Sequence, residues 1–134
     1  MSMYPSISIA GSGLVVDQTW LDVIGGNVAN ADDVATPGRP VYRPEEVVAE
    51  AVPSADGAGA GVAVVEVAAS GASGTATYDP SNPLADRRGM VVTPAVSIGH
   101  ELVALVEAQA SYEANATVLQ HADTAYKAIL DIHA

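Results

Sequence analysis

The sequence predicts a mainly α, elongated molecule whose N- and C-terminal helices pair as an antiparallel coiled coil. A small β-rich or extended insert lies between them. Three observations carry this expectation. Apolar residues recur at alternating spacings of three and four at both ends of the 134-residue chain. The middle is broken into short β-branched runs by Gly, Pro, Asn and Asp. Phe is absent and Trp occurs once, so large core-filling groups are scarce and helices packed through Ala and Leu fit better than a thick core.

The N-terminal segment, 1–36, holds a helix over residues 7–31. Its stripe runs Ile7, Ala10, Leu14, Asp17, Leu21, Ile24, Val28 and Ala31, with Asp17 as the polar exception. Ser6, after Pro5, is the expected N-cap. Gly11, Gly13, Gly25 and Gly26 lie inside this helix. Each costs about 1 kcal/mol relative to Ala, so the helix needs a partner, and the glycines can let that partner approach closely. The stripe stops in "GGNVANADDVATPG", residues 25–38. Asn27 and Asn30 are expected to satisfy backbone groups at this exit, and Pro37 and Gly38 to prevent continuation.

The insert, 37–97, begins with "VYRPEEVVAEAV", read as extended with Pro44 marking an edge. Residues 53–61 read as a flexible link, and "VAVVEVAA", 62–69, as a strand. Residues 79–89, "DPSNPLADRRG", form a loop dense in turn signals, and "MVVTP" is a short strand or an extended lead into the last helix.

The C-terminal segment, 98–134, reads as one helix over 98–132. Its predicted stripe is Leu102, Leu105, Gln109, Tyr112, Ala116, Leu119, Asp123, Tyr126 and Leu130. At 1.5 Å per residue it spans about 50 Å, against a radius of gyration of about 14 Å for a compact domain of this size. It is about ten residues longer than its N-terminal counterpart, so part of its stripe needs another neighbour.

Composition narrows the function. The formal charge of −11, from 5 basic and 16 acidic residues, argues against nucleic acid and against an anionic membrane surface. The run before Val16 is too interrupted for a membrane span, so no direct membrane insertion is expected. No Lys or Arg precedes Arg39, so a cleavable signal with a basic n-region is not expected. Cysteine is absent, which excludes disulfides and thiolate metal sites.

No motif supplies chemistry. His100 and His121 stand about 30 Å apart on one helix and cannot share a metal, and His133 sits at the end. "GAGAG" at 57–61 lacks the Lys and Ser/Thr of a P-loop, and "GSG" at 11–13 lacks the spacing of a nucleophile elbow. Counting from Asn27, an EF-hand would need Glu where Gly38 stands. A hydrolase using His121 and Asp123 lacks the required constellation. Arg87-Arg88, the one basic pair, reads as surface or as a docking contact for an acidic neighbour. No catalytic residue, cofactor or metal is expected.

Four stretches carry a resemblance to one family; the shortest, "VYRPEEVV", 41–48, resembles its Tyr-Arg stretch leading into a strand. "SGLVVDQTWLDVIGGNVANA", 12–31, resembles the N-terminal signature of bacterial flagellar axial proteins, with Asn27, Ala29, Asn30, Ala31, Thr36 and Gly38 matching. "HELVALVEAQASYEANATVLQ", 100–120, resembles their C-terminal signature through Glu101, Leu102, Gln109, Tyr112, Glu113, Ala114 and Asn115. "YDPSNPLADRRGMV", 78–91, and the short insert resemble the proximal-rod members of the flagellar basal-body rod protein family. Ala95, Ser97 and Ala110 depart from the usual residues.

The resemblance implies a non-enzymatic subunit of the rod, the driveshaft between motor and hook. Its partners would be other rod proteins and copies of itself. It would pass through the type III export apparatus without a cleaved signal and reside in the basal body. The packing residues would be Ile7, Leu14, Leu21, Ile24, Val28, Leu102, Leu105, Tyr112, Leu119, Tyr126 and Leu130. Tyr78, Asp79, Pro80, Pro83, Asp86 and Gly89 would form a loop bracing adjacent subunits. The competing reading is a small acidic cytoplasmic helical adaptor or export-chaperone-like hairpin.

Overall fold

The computed structural model describes residues 3–54, 59–71 and 73–132. In chain order these form α1 (Met3–Ala29), β1 (Glu45–Val52), β2 (Gly61–Ala69), β3 (Thr75–Tyr78), β4 (Met90–Thr93) and α2 (Ile98–Ile132). Residues 55–58 of the expected link, and His133, lie outside the described residues.

The mainly α class needs correction, because the insert folds into two antiparallel two-stranded sheets, β1–β2 and β3–β4. The molecule is therefore mixed α/β. Val-rich β2 pairs along its length with β1, from Glu45 opposite Ala69 to Val52 opposite Gly61, with a bulge after Val48. A lone hairpin is marginal in water. This one is held against α1: the Ser12 hydroxyl accepts the Val62 amide at 3.0 Å and donates to the Ile9 carbonyl at 2.8 Å. Gly61 has φ +130°, and a Cβ there would stand 2.3 Å from Ser12 Oγ, so this docking point accepts no side chain. The second hairpin is tied down by reciprocal Ala35–Val92 amide-to-carbonyl bonds of 2.9 and 2.8 Å. Beside them Val91 is 1% exposed.

Helix α1 starts earlier than expected, at Met3 rather than after a Ser6 cap. Pro5 sits in its first turn, where the missing amide is not required and the fixed φ suits a helix. The helix ends at Ala29. The Gly26 carbonyl there accepts both the Asn30 amide and the Asn30 side chain, at 3.1 and 2.8 Å.

The two helices pack antiparallel. Asn27 meets Glu101 at one end, and Asp17 meets Asn115 farther along. Ile24, Ala104 and Ala108 form the buried centre, with Trp20, Leu21 and Leu105 packed against it. The buried face of α2 is Glu101, Ala104, Ala108 and Ala122, with Ser111 and Asn115 half-buried. This face lies one residue earlier than the predicted stripe, a rotation of about 100°. Small side chains let the backbones approach, and the large ones turn away: Leu102 is 54% exposed and Val106 65%.

Gly13 shows how close the approach is. A Cβ there would lie 2.6 Å from Asn115 Nδ2, the group that donates at 2.8 Å to the buried carboxylate of Asp17. Gly13→Ala should gain up to about 1 kcal/mol of helix propensity. It should lose about 1.5–3 kcal/mol by displacing Asn115 from a buried charge. The urea midpoint should therefore fall. Gly25→Ala, which meets nothing within 4 Å, should raise it.

Candidate assembly interface

Asn27 is 3% exposed and uses its whole hydrogen-bonding capacity. Its amide group donates to the Glu45 carbonyl at 2.9 Å and to Glu101 Oε1 at 3.2 Å. Its oxygen accepts the Tyr42 hydroxyl at 2.9 Å and the Glu45 amide at 2.8 Å. One side chain thus joins the end of α1, the start of β1, the segment before β1 and the first turn of α2. Its work reaches beyond the helix exit, whereas Asn30 stays within the last turn. Ser97 opens α2 by accepting the His100 amide, at 3.4 Å. Glu101, in the first turn, is 7% exposed and favourably placed on the helix dipole. Burial, with the carboxylates of Glu45 and Glu101 nearby, raises the Tyr42 phenol above its ordinary range, so it stays a donor.

A groove of about 530 Å³ adjoins this junction, between α1, the start of β1 and the start of α2. Trp20, Pro44, Val47 and Ala104 line its apolar part. Glu45, Glu46, Glu101 and Glu107 line it too, with His100 beside them. The Ser70 hydroxyl, buried in its wall, has no hydrogen-bond partner among the described residues. The Ser70 backbone is held by Arg43, which donates to its carbonyl through Nε at 2.8 Å and through Nη2.

The 79–89 loop is built around two aspartates. Asp79 accepts Ser81 Oγ at 2.7 Å and Asn82 Nδ2 at 3.3 Å. Asp86 Oδ1 accepts the amides of Arg88 and Met90 at 2.8 and 3.0 Å. Gly89 adopts φ +74°, and a Cβ there would meet Tyr78 and Pro80 at 2.9 and 3.0 Å. The loop is rigid because its polar groups bond each other, and it presents Tyr78, 68% exposed, and Leu84, 44% exposed. Pro80 and Pro83 are exposed on it.

The expected packing residues divide by exposure. Ile24 is buried, and Leu14, Leu21, Leu105 and Leu119 are half-buried. Ile7, Val28, Leu102, Tyr112, Tyr126 and Leu130 are exposed. Continuing the helix register places Tyr126 opposite the first turn of α1, and Ile129 and Leu130 beyond its start. Ser12, Tyr42, Arg43 and Glu45 were not singled out from the sequence as site residues. Tyr42, Arg43 and Glu45 lay in a stretch read only as leading into a strand, and Ser12 opened a resembling stretch and was weighed for catalysis, with no contact to β2 foreseen.

The helix pair leaves apolar residues outward beside a hydrogen-bonded loop, and relatives show the family. Residues 87–132 match the family model described as flagellar basal body rod FlgEFG protein C-terminal. Flagellar basal-body rod protein FlgC of Escherichia coli O6:H1 is 39% identical over 119 residues, 89% of each chain. This chain belongs to the FlgC family of flagellar basal-body rod proteins. Another FlgC, from Salmonella typhimurium, is also 39% identical over 89% of each chain, and that of Borreliella burgdorferi is 28% identical over 98%. FlgC membership leaves the adaptor reading without support. Among the described residues, no helix is long and apolar enough to cross a membrane.

In this FlgC family member the loop carries a pH signature. Hydrogen bonds from Ser81 and Asn82 lower the Asp79 carboxyl, and the Met90 and Arg88 amides, with the Arg88 charge, lower Asp86. A carboxyl lowered on folding contributes stability above its unfolded value and loses it as pH falls through the folded value. The loop should therefore hold at neutral pH and loosen only below the ordinary carboxylate range of about 4. Arg88 and Met90 amide chemical shifts, followed on acidification, should move together, and Asp86→Asn should abolish that titration.

Proposed function

We propose that the chain is a structural, non-enzymatic subunit of the proximal rod, binding other rod proteins and copies of itself and helping to transmit torque from motor to hook. It reaches the basal body through the type III export apparatus without a cleaved signal. Its terminal helices pack on neighbouring subunits, and residues 78–91 brace them.

The observation that carries the reading is the outer face of α2. Leu102, Val103 and Val106 are 54%, 57% and 65% exposed, while Ala104 and Ala108 fill the contact with α1. Contiguous apolar surface of this kind marks an interaction site. A shaft needs stiffness and many contacts rather than turnover, and this helix offers contact area on a second side. Membership of the FlgC family supports the same assignment.

The test is Leu102→Asp with Val106→Asp. Both side chains point away from α1, so unfolding free energy should change by no more than about 0.5 kcal/mol. In a bacterium lacking its own copy of this gene, the double variant should fail to enter basal bodies or restore swimming. Normal incorporation of the folded variant would overturn the role of this face.

A further inference from the structure

Resting on the rod-subunit reading, we propose that copies of this chain join head to tail, the Arg87–Arg88 loop of one copy seated in the acidic groove of the next. The argument begins with where the charges go. The chain has five Lys and Arg residues. Arg43 is committed to the Ser70 carbonyl, Lys127 pairs with Asp123 at 2.6 Å, the one ion pair among the described residues, and Arg39 stands alone and exposed in the segment before β1. Arg87 and Arg88 stand adjacent and exposed on a loop fixed by Asp79 and Asp86. Exposed Tyr78 and Leu84 belong to the same loop region. Aromatic, aliphatic and guanidinium groups on a preordered support are what a binding hot spot requires.

The groove is the complement. Trp20, Pro44 and Val47 supply apolar wall, and Glu45, Glu46, Glu101 and Glu107 supply carboxylates with no Lys or Arg among the lining residues. Its buried Ser70 hydroxyl has no hydrogen-bond partner among the described residues. Guanidinium groups would offset this one-sided charge with forked donors.

A chain cannot fill its own groove with this loop. No residue of 79–89 lines the groove, whereas Ala95 and Ser97 do. The loop closes the far end of β3–β4, whose four-residue strands hold it about 13 Å from the Thr93 end. Loop and groove are different surfaces, so the contact is heterologous and propagates instead of closing on itself.

The test uses the purified full chain in sedimentation velocity at low and high salt. The wild type should self-associate, less so at high salt. R87E with R88E, and separately E46R with E107R, should each weaken association about tenfold or more. All four positions are exposed, so circular dichroism should match the wild type. Mixing the two double variants should restore association, because each loop then meets a groove of opposite charge. A wild type that stays monomeric at about 1 mM, or charge variants that associate like it, would overturn the contact. A mixture that fails to associate would overturn it as well. Basal-body incorporation is scored separately: wild-type incorporation with an overturned contact leaves the rod reading standing, whereas failure of the wild-type chain to incorporate removes that reading.

Discussion

The four hydrogen bonds of Asn27 hold together pieces that have little reason to stay together otherwise. α1 carries several interior glycines, and the β1–β2 hairpin has only two strands. Each is marginal alone. Asn27 connects both to the first turn of α2 while leaving none of its own polar capacity unused. A buried amide with every bond made specifies one arrangement, since any shift of α1 against α2 breaks several bonds at once. Ser12 repeats the device a few turns earlier, pinning the start of β2 to the same helix. The sheet is thus positioned by two polar contacts from α1, and the groove opens beside the one made by Asn27.

Close helix packing divides the remaining surface. Small side chains on α2, and Gly13 on α1, bring the backbones together and leave Asn115 within reach of Asp17. The same choice leaves Leu102, Val103 and Val106 facing outward, while Leu105 packs against the buried centre. For a monomer this wastes hydrophobic surface. In the proposed rod subunit it would separate two tasks: small residues set the internal geometry, and the outward aliphatic residues are left for neighbours. The outward loop completes the division, because its rigidity comes from its own aspartates and not from the core.

Much of this was legible in the sequence, and the misses have physical causes. Both helices were visible from periodicity, and α2 matched its predicted bounds because no Pro or cap signal interrupts it. The α2 contact face was misplaced because large apolar residues were assumed to point inward. Adjacent stripes on that helix both show three-four spacing, and of the α1 glycines only Gly13 lies close enough to α2 to mark the small one as the contact face. The insert was read as small and β-rich or extended; it forms two sheets, and their extent changes the fold class from mainly α to mixed α/β. The strands beginning at Glu45 and Gly61 were partly visible, but their docking depends on Ser12, about 50 positions away, which no local pattern shows. The reach of Asn27 is non-local in the same way: its partners Tyr42 and Glu45 lie in one stretch and Glu101 in another, far along the chain. The 79–89 loop was marked by turn residues alone, since its bonds are local.

The central claim is that Asn27 couples helix pairing to sheet docking, and native-state hydrogen exchange on the wild type and on Asn27→Ala tests it most directly. The account predicts that truncation lowers the opening free energy of the β1–β2 amides and of the first turns of α2 together, by about 2–4 kcal/mol. If only the Glu45 amide lost protection while the hairpin and α2 kept theirs, Asn27 would be a local cap and the account would be contradicted.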